Sequence, residues 1–323
     1  MARGCGRAVR MRGSDAQFSA PFSARPAVTR LLVAAVAASL LAPSPARAID
    51  CRKAASPLER MICADAALRK ADAALGSAYA GLLHGTDDAE IRAMLIASQK
   101  RWVAARDTWL GDLDAADART IVLGAIRART EDLSGRAKSD PARPHWIAAA
   151  LRQRAFAARF TGGPFAGFDT ACYFLPVGQD RVYGCFGSRR FQNGDRVCTL
   201  SDDWASGHTT ETRTVGRVVD GAVRTVATCT IGGGDDAECP GPENPAGRWT
   251  RPAAPAAATA SATTAPAGPR AVLDVELASD AEAETWLSTC LTDPAYPPPA
   301  PVPAAGTEPG SRPPARAGDP NGK

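Results

Sequence analysis

The stretch IDCRKAASPLERMIC, residues 49–63, decides how the chain begins and how its first half folds. Ser56 offers a side-chain oxygen to a helix N-terminus, and Pro57 suits the first helical position. Glu59, three residues after Ser56, completes a capping box. Cys51 and Cys63 flank that start signal. Upstream, Arg30 precedes LLVAAVAASLLA, residues 31–42. Twelve apolar or small residues are too few for a hydrocarbon layer of ~30 Å, which takes roughly 20. Pro43 and Pro45 then break the run, and Ala46-Arg47-Ala48 gives a small-x-small cleavage pattern. Residues 1–48 are therefore expected to be a signal peptide cut after Ala48, which leaves a periplasmic or secreted chain. Met11 is an alternative translation start, and Asp50 directly before Cys51 argues against lipid attachment.

Charge and cysteine usage follow from that reading. The formal net charge of +4 arises in the leader, whose seven Arg face one Asp; the remainder has 31 basic and 33 acidic residues. Such a balance gives no field for nucleic acid. After the leader eight cysteines remain: Cys51, Cys63, Cys172, Cys185, Cys198, Cys229, Cys239 and Cys290. An even number in an exported chain reads as disulfides, and no C-x-x-C pair favours a metal instead.

Downstream of the quoted stretch the period is helical. Leu68, Leu75, Tyr79 and Leu82 share one face, and residues 85–88 turn the chain. Ile91, Leu95, Ser98, Trp102, Ala105 and Trp109 form the seam of a second long helix, while Val122, Ile126, Arg129 and Leu133 mark a third. Pro141 and Pro144 end it, so residues 49–140 read as a small antiparallel helical bundle and 141–164 as a connector. From 165 to 250, short Val/Thr-rich runs alternate with turn signals such as Asn193-Gly194 and Asp220-Gly221, the pattern of antiparallel hairpins. A hairpin centred on Gly178-Gln179 would set Cys172 opposite Cys185 and favours that pair; the pairing of the other late cysteines stays open. Residues 251–270 read as a Pro/Ala-rich linker, 271–293 as a strand and a short helix stapled to the β-region by Cys290, and 294–323 as a disordered tail. The expected class is α+β multidomain: a helical bundle, then a disulfide-stapled antiparallel β-domain.

Residues 50–83, with QKRWVAARDTW at 99–109, closely resemble the N-terminal domain of the LprI-type lysozyme inhibitor family. The matching positions are Asp50, Cys51, Ala54, Glu59, Ile62, Cys63, Leu68, Asp72, Leu75, Tyr79, Gln99, Trp102, Arg106 and Asp107. Family members often carry two further cysteines, where this chain has Trp109 and Ile121. The resemblance therefore implies that Cys51 pairs with Cys63. It also implies a non-enzymatic binding protein that occludes the active-site cleft of a lysozyme, with no cofactor. The alternative is a cell-envelope adaptor whose bundle is structural and whose β-domain binds a glycan or protein partner.

Among the motif residues, Glu59 is expected to cap its helix and meet Arg106 across the bundle, with Asp107 steadying the guanidinium. Asp72, Tyr79, Gln99 and Trp102 are read as structural. Arg189 and Arg190 are the candidate partner contact, an exposed pair that an inhibitor could present to cleft carboxylates. His84, His145 and His208 lack neighbours at metal-ligand spacing, and Ser188 lacks a hydrolase elbow, so no metal and no catalytic residue is assigned. Tyr173, Phe186, Trp204 and Trp249 pose the sharpest structural question: a shared exposed patch would mark a binding face.

Overall fold

The capping box forms as written: Ser56 Oγ accepts from the Glu59 N–H at 3.1 Å, and Glu59 Oε2 accepts from the Ser56 N–H at 3.0 Å. It opens α1, Pro57–Ala64, in the computed structural model, which describes residues 49–299 apart from 112, 114, 179, 206, 233–237, 242–243, 245, 253–261 and 265–269. The expected leader at 1–48 and residues 300–323 of the expected tail lie outside the described residues. Asp65 caps α2, Ala66–His84, by accepting from Ala67 and Leu68 N–H, and Asp88 caps α3, Ala89–Trp109, in the same way. The fourth helix, α4, runs Ala115–Ser134. Leu68, Leu75, Tyr79 and Leu82 of α2 meet Ile91, Leu95 and Trp102 of α3 and Val122 and Ile126 of α4 in one apolar cluster. Each large side chain so buried contributes about 1.5–3 kcal/mol. Trp109 departs from the expected seam: it is 48% exposed, at the last position of α3.

The region read as a connector has its own structure. A two-stranded ladder joins β1, Arg136–Ala137, to β2, Asp140–Pro144, and α5 follows at His145–Ala157. Pro144 sits at the N-cap with an extended backbone, so a proline taken as a terminator also begins a helix. The sheet is an antiparallel meander of β3 (Gly167–Val177), β4 (Asp180–Asn193), β5 (Arg196–Ala205), β6 (His208–Val219), β7 (Ala222–Ile231) and β8 (Ala262–Thr264), in that spatial order. Asp220 and Gly221 both take positive φ, 53° and 73°, as the tight turn between β6 and β7 needs. Within the expected linker, β8 pairs with Ala222–Arg224 of β7.

The strand expected after the linker is absent. Ala271 makes a single bridge to Phe168, a 3₁₀ turn follows at Val275–Leu277, and α6 spans Ala281–Thr292. Asp274 caps that turn through the Glu276 N–H, a local alternative that draws the backbone away from a ladder. Four disulfides join the eight cysteines: Cys51–Cys63, Cys172–Cys185, Cys198–Cys290 and Cys229–Cys239. The described residues belong to one compact unit. Two apolar cores lie within it. Phe174 of β3 and Leu273 complete the bundle core, whereas Phe168, Phe191, Leu200 and Val215 form the sheet core with Leu277 and Leu287. Helix α5 enters both, through Trp146 and Phe156 respectively.

Candidate binding groove

The residues of the bundle motif point inward. Trp102 meets Phe174 edge-on at 6.3 Å and carries the Arg106 guanidinium 5.5 Å from its ring centre. Tyr79 is buried, which raises the pKa of its hydroxyl. Gln99 accepts from Arg129 Nε at 3.4 Å. The expected Glu59–Arg106 bridge is replaced: Arg106 pairs with Asp107 at 2.7 Å and stands 4.0 Å from Asp72. Glu59 is committed to its cap, where the N–H groups of Ser56 and Ala55 hold its carboxyl below the ordinary range. Arg106 still acts on that carboxyl electrostatically, adding a smaller lowering of its pKa, without a direct bridge.

A second charged cluster was not singled out from sequence. Asp274, only 1% exposed, receives Arg101 Nη2 at 2.7 Å and the Thr170 hydroxyl at 2.7 Å. Glu276 receives Arg101 Nη2 at 2.6 Å, the Ser98 hydroxyl at 2.7 Å, the Tyr183 hydroxyl at 3.2 Å and Arg129 Nη1 at 3.4 Å. Gln153 of α5 bonds both backbone groups of Asp274. Burial raises the Asp274 pKa, with Arg101 opposing it, and burial followed by Glu276 raises that of Tyr183. These groups satisfy one another, so the cluster fastens the 274–276 segment to bundle and sheet. Its members are scattered over residues 98–276, and only tertiary structure brings them together.

An open surface lies on the other side of Phe174. Trp109 and Tyr173 meet edge-on at 5.8 Å and 83°, and Tyr173 is 38% exposed. With Phe186 and Trp204 they line a groove of about 380 Å³, whose charged member is Asp203. The sequence YGCFG, residues 183–187, shapes its floor. Tyr173 faces Gly184 and Ala171 faces Phe186 in the β3–β4 register. Gly187 has φ of 141°, and a β-carbon there would overlap the Asp169 carbonyl oxygen. Only glycine fits at this position, directly after Phe186. Three of the four aromatics singled out from sequence thus line one groove. Trp249 does not join them: it stacks on Trp286 at 6.5 Å.

Residues 51–135 match the family model described as Lysozyme inhibitor LprI. The resemblance read from the sequence is borne out over that segment. No curated protein and no solved structure matches the chain. The LprI segment therefore includes α3 with Trp109, and the other three aromatics of the groove lie beyond it.

Arg189 and Arg190 are not an exposed pair. Arg189 is buried and bonded to Asp202 at 2.8 Å, because its position on β4 turns inward toward β5. Arg190 is half-buried and paired with Asp169. His145 bonds Asp132 at 3.2 Å, and Ser188 bonds Ser201 at 2.9 Å within the sheet. Among the described residues, one cluster has three potential metal ligands, Cys172, Cys185 and Glu276, but the two sulfurs are bonded to each other.

Proposed function

We propose that the chain is an exported, non-enzymatic binding protein that inhibits a lysozyme by occluding its cleft, with the Trp109–Trp204 groove as the contact surface. In this reading the signal peptide is cut after Ala48 and the mature chain works in the periplasm or outside the cell. Residues 49–140 are the family module, and 165–250 with 271–293 form the stapled surface beside it. The observation that carries the reading is the LprI match over residues 51–135, whose α3 ends in the exposed Trp109 of the groove. Half-exposed tryptophan and tyrosine side by side are costly in water and typical of binding centres. Four disulfides support an oxidising compartment.

Because Phe174 and Leu273 complete the bundle core, the test uses the whole mature chain rather than segments. Hydrolysis of bacterial cell walls by hen egg-white lysozyme is titrated with residues 49–323. The expected result is stoichiometric inhibition that Trp109→Ala or Trp204→Ala weakens at least tenfold. Full inhibition by both variants would move the contact elsewhere, and no inhibition by the wild type would reject the reading. A second reading, a glycan-binding adaptor, is favoured by the origin of Tyr173, Phe186 and Trp204 in the sheet. Chito-oligosaccharide that shifts the indole N–H resonances of Trp109 and Trp204, with lysozyme unaffected, would support it.

A further inference from the structure

The Ile49 backbone nitrogen donates to Asp72 Oδ2 at 2.7 Å, across 23 residues of sequence. Asp72 lies on the buried face of α2 and is 6% exposed. Its other oxygen is 4.0 Å from Arg106 Nη1 of α3, and Arg106 is already committed to Asp107 at 2.7 Å. The Ile49 side chain packs against the bundle core, and two residues on, the Cys51–Cys63 disulfide ties this start to α1. Ile49 is also the residue that follows the Ala46-Arg47-Ala48 cleavage pattern.

We propose that Asp72 is the seat for the α-ammonium created at Ile49 when the leader is removed. The inference rests on the export reading above. A leader peptidase adds water across the Ala48–Ile49 amide; the carboxylate leaves with the leader, and Ile49 keeps the proton as an ammonium. Before cleavage the site holds two carboxylates, Asp72 and Asp107, and one guanidinium, Arg106, a local sum of −1. Cleavage brings that sum to zero with no movement of Asp72, since the nitrogen already lies at hydrogen-bond distance. A neutral amide gives a buried carboxylate a dipole, whereas an ammonium gives it a charge and a stronger, charge-assisted bond. Export thereby completes the fold of the bundle: the mature N-terminus becomes one of its interior contacts.

The test compares two oxidised proteins, residues 49–323 with a free Ile49 and the same chain with Ala48 retained. The extension removes no side chain and moves the ammonium one residue away from Asp72. The free-Ile49 protein is expected to melt about 2–8 °C higher near pH 7, the shift of one to two kcal/mol in a chain of this size. An amino group whose pKa is raised by a partner contributes below its unfolded value, about 8, and the contribution is lost as pH rises through the folded value. The groups facing it are Asp72, Arg106 and Asp107, with Glu59 of α1 within electrostatic reach of Arg106. The gap between the two proteins is therefore expected to close above about pH 10, and in an Asp72→Asn background it is expected to be absent at every pH. Equal melting of the two wild-type proteins at pH 7, or a gap that ignores pH, would overturn the seat. N-terminal sequencing of the exported protein separately reads the cleavage site: a different first residue rejects the export reading at Ala48, while the recombinant pair still decides the seat.

Discussion

The bundle and the sheet meet the same shortage of large apolar residues in different ways. The bundle buries Leu, Ile, Tyr and Trp at helical spacing and carries one disulfide, at its very start. The sheet core relies on Phe168, Phe191 and Trp286, and three disulfides hold the sheet and its covering helix α6. Helical contacts close over a few turns, so the bundle is stabilised by local packing. The covering helix lies about 90 residues from the strand it covers, so it gains most from a covalent tie.

That contrast is sharpest at Cys198–Cys290, whose partners are 92 positions apart, against 12 for Cys51–Cys63. In the chain-entropy account the long loop contributes about 4.7 kcal/mol and the short one about 3 kcal/mol. Replacing both Cys198 and Cys290 by Ala is therefore expected to be the largest single loss, read from urea unfolding of the oxidised protein. The Cys51/Cys63 double substitution should cost roughly two-thirds as much. Equal costs would mean that α6 is held by packing as firmly as α1 is, and the comparison would fall.

The next effect concerns the charges that join the two regions. Arg101 of α3 is shared by Asp274 and Glu276, which reach it from the C-terminal segment. Arg101→Ala leaves buried Asp274 without a cation and Glu276 with Arg129 alone, and is expected to cost about 3 kcal/mol, since removal of one partner from a buried pair strands the other. Replacing Asp274 and Glu276 together with Arg101 by apolar residues should cost much less than the single change. If the single change is nearly neutral in a thermal melt, the cluster is not what fastens the 274–276 segment.

The same difference governs what could be read in advance. The capping box at Ser56, the faces of α2 to α4 apart from Trp109, and the Asp220-Gly221 hairpin are local patterns, and each stands in the structure where its residues placed it. Helix α5 was missed because Pro144 reads equally well as an end or a beginning. The 274–276 segment was misread as strand because Val-Leu-Asp-Val-Glu-Leu alternates, while Asp274 captures the Glu276 N–H and forms a turn. Arg189 was read as exposed because nothing beside it in sequence reveals Asp202 on the neighbouring strand. The groove was legible as a set of aromatics but not as a place. Trp109 joins them only because α3 ends beside β3, and no spacing in the chain records that contact.

The smallest expected effect comes from acid, and it separates the two regions by sign. Asp65 caps α2 and is bonded by Arg119, which with the Leu68 and Ala67 N–H groups draws its pKa down to about 2. Asp88, capping α3, is lowered as well, chiefly by Arg154. A carboxyl lowered in the folded state stabilises above its unfolded value, about 3.9, and that contribution is lost as pH falls through the folded value. Asp274 runs the other way. Its pKa is raised by burial, so the folded protein takes up this proton more readily than the unfolded chain, and falling pH relieves rather than adds a cost. Between pH 4 and pH 2, amide exchange followed by NMR should therefore quicken first at the opening turns of α2 and α3, while Thr170, Gln153 and the 274–276 segment stay protected. Simultaneous loss at both places would show that acid acts on the molecule as one cooperative unit, and that the caps of the bundle are no weaker than the charge cluster that joins it to the sheet.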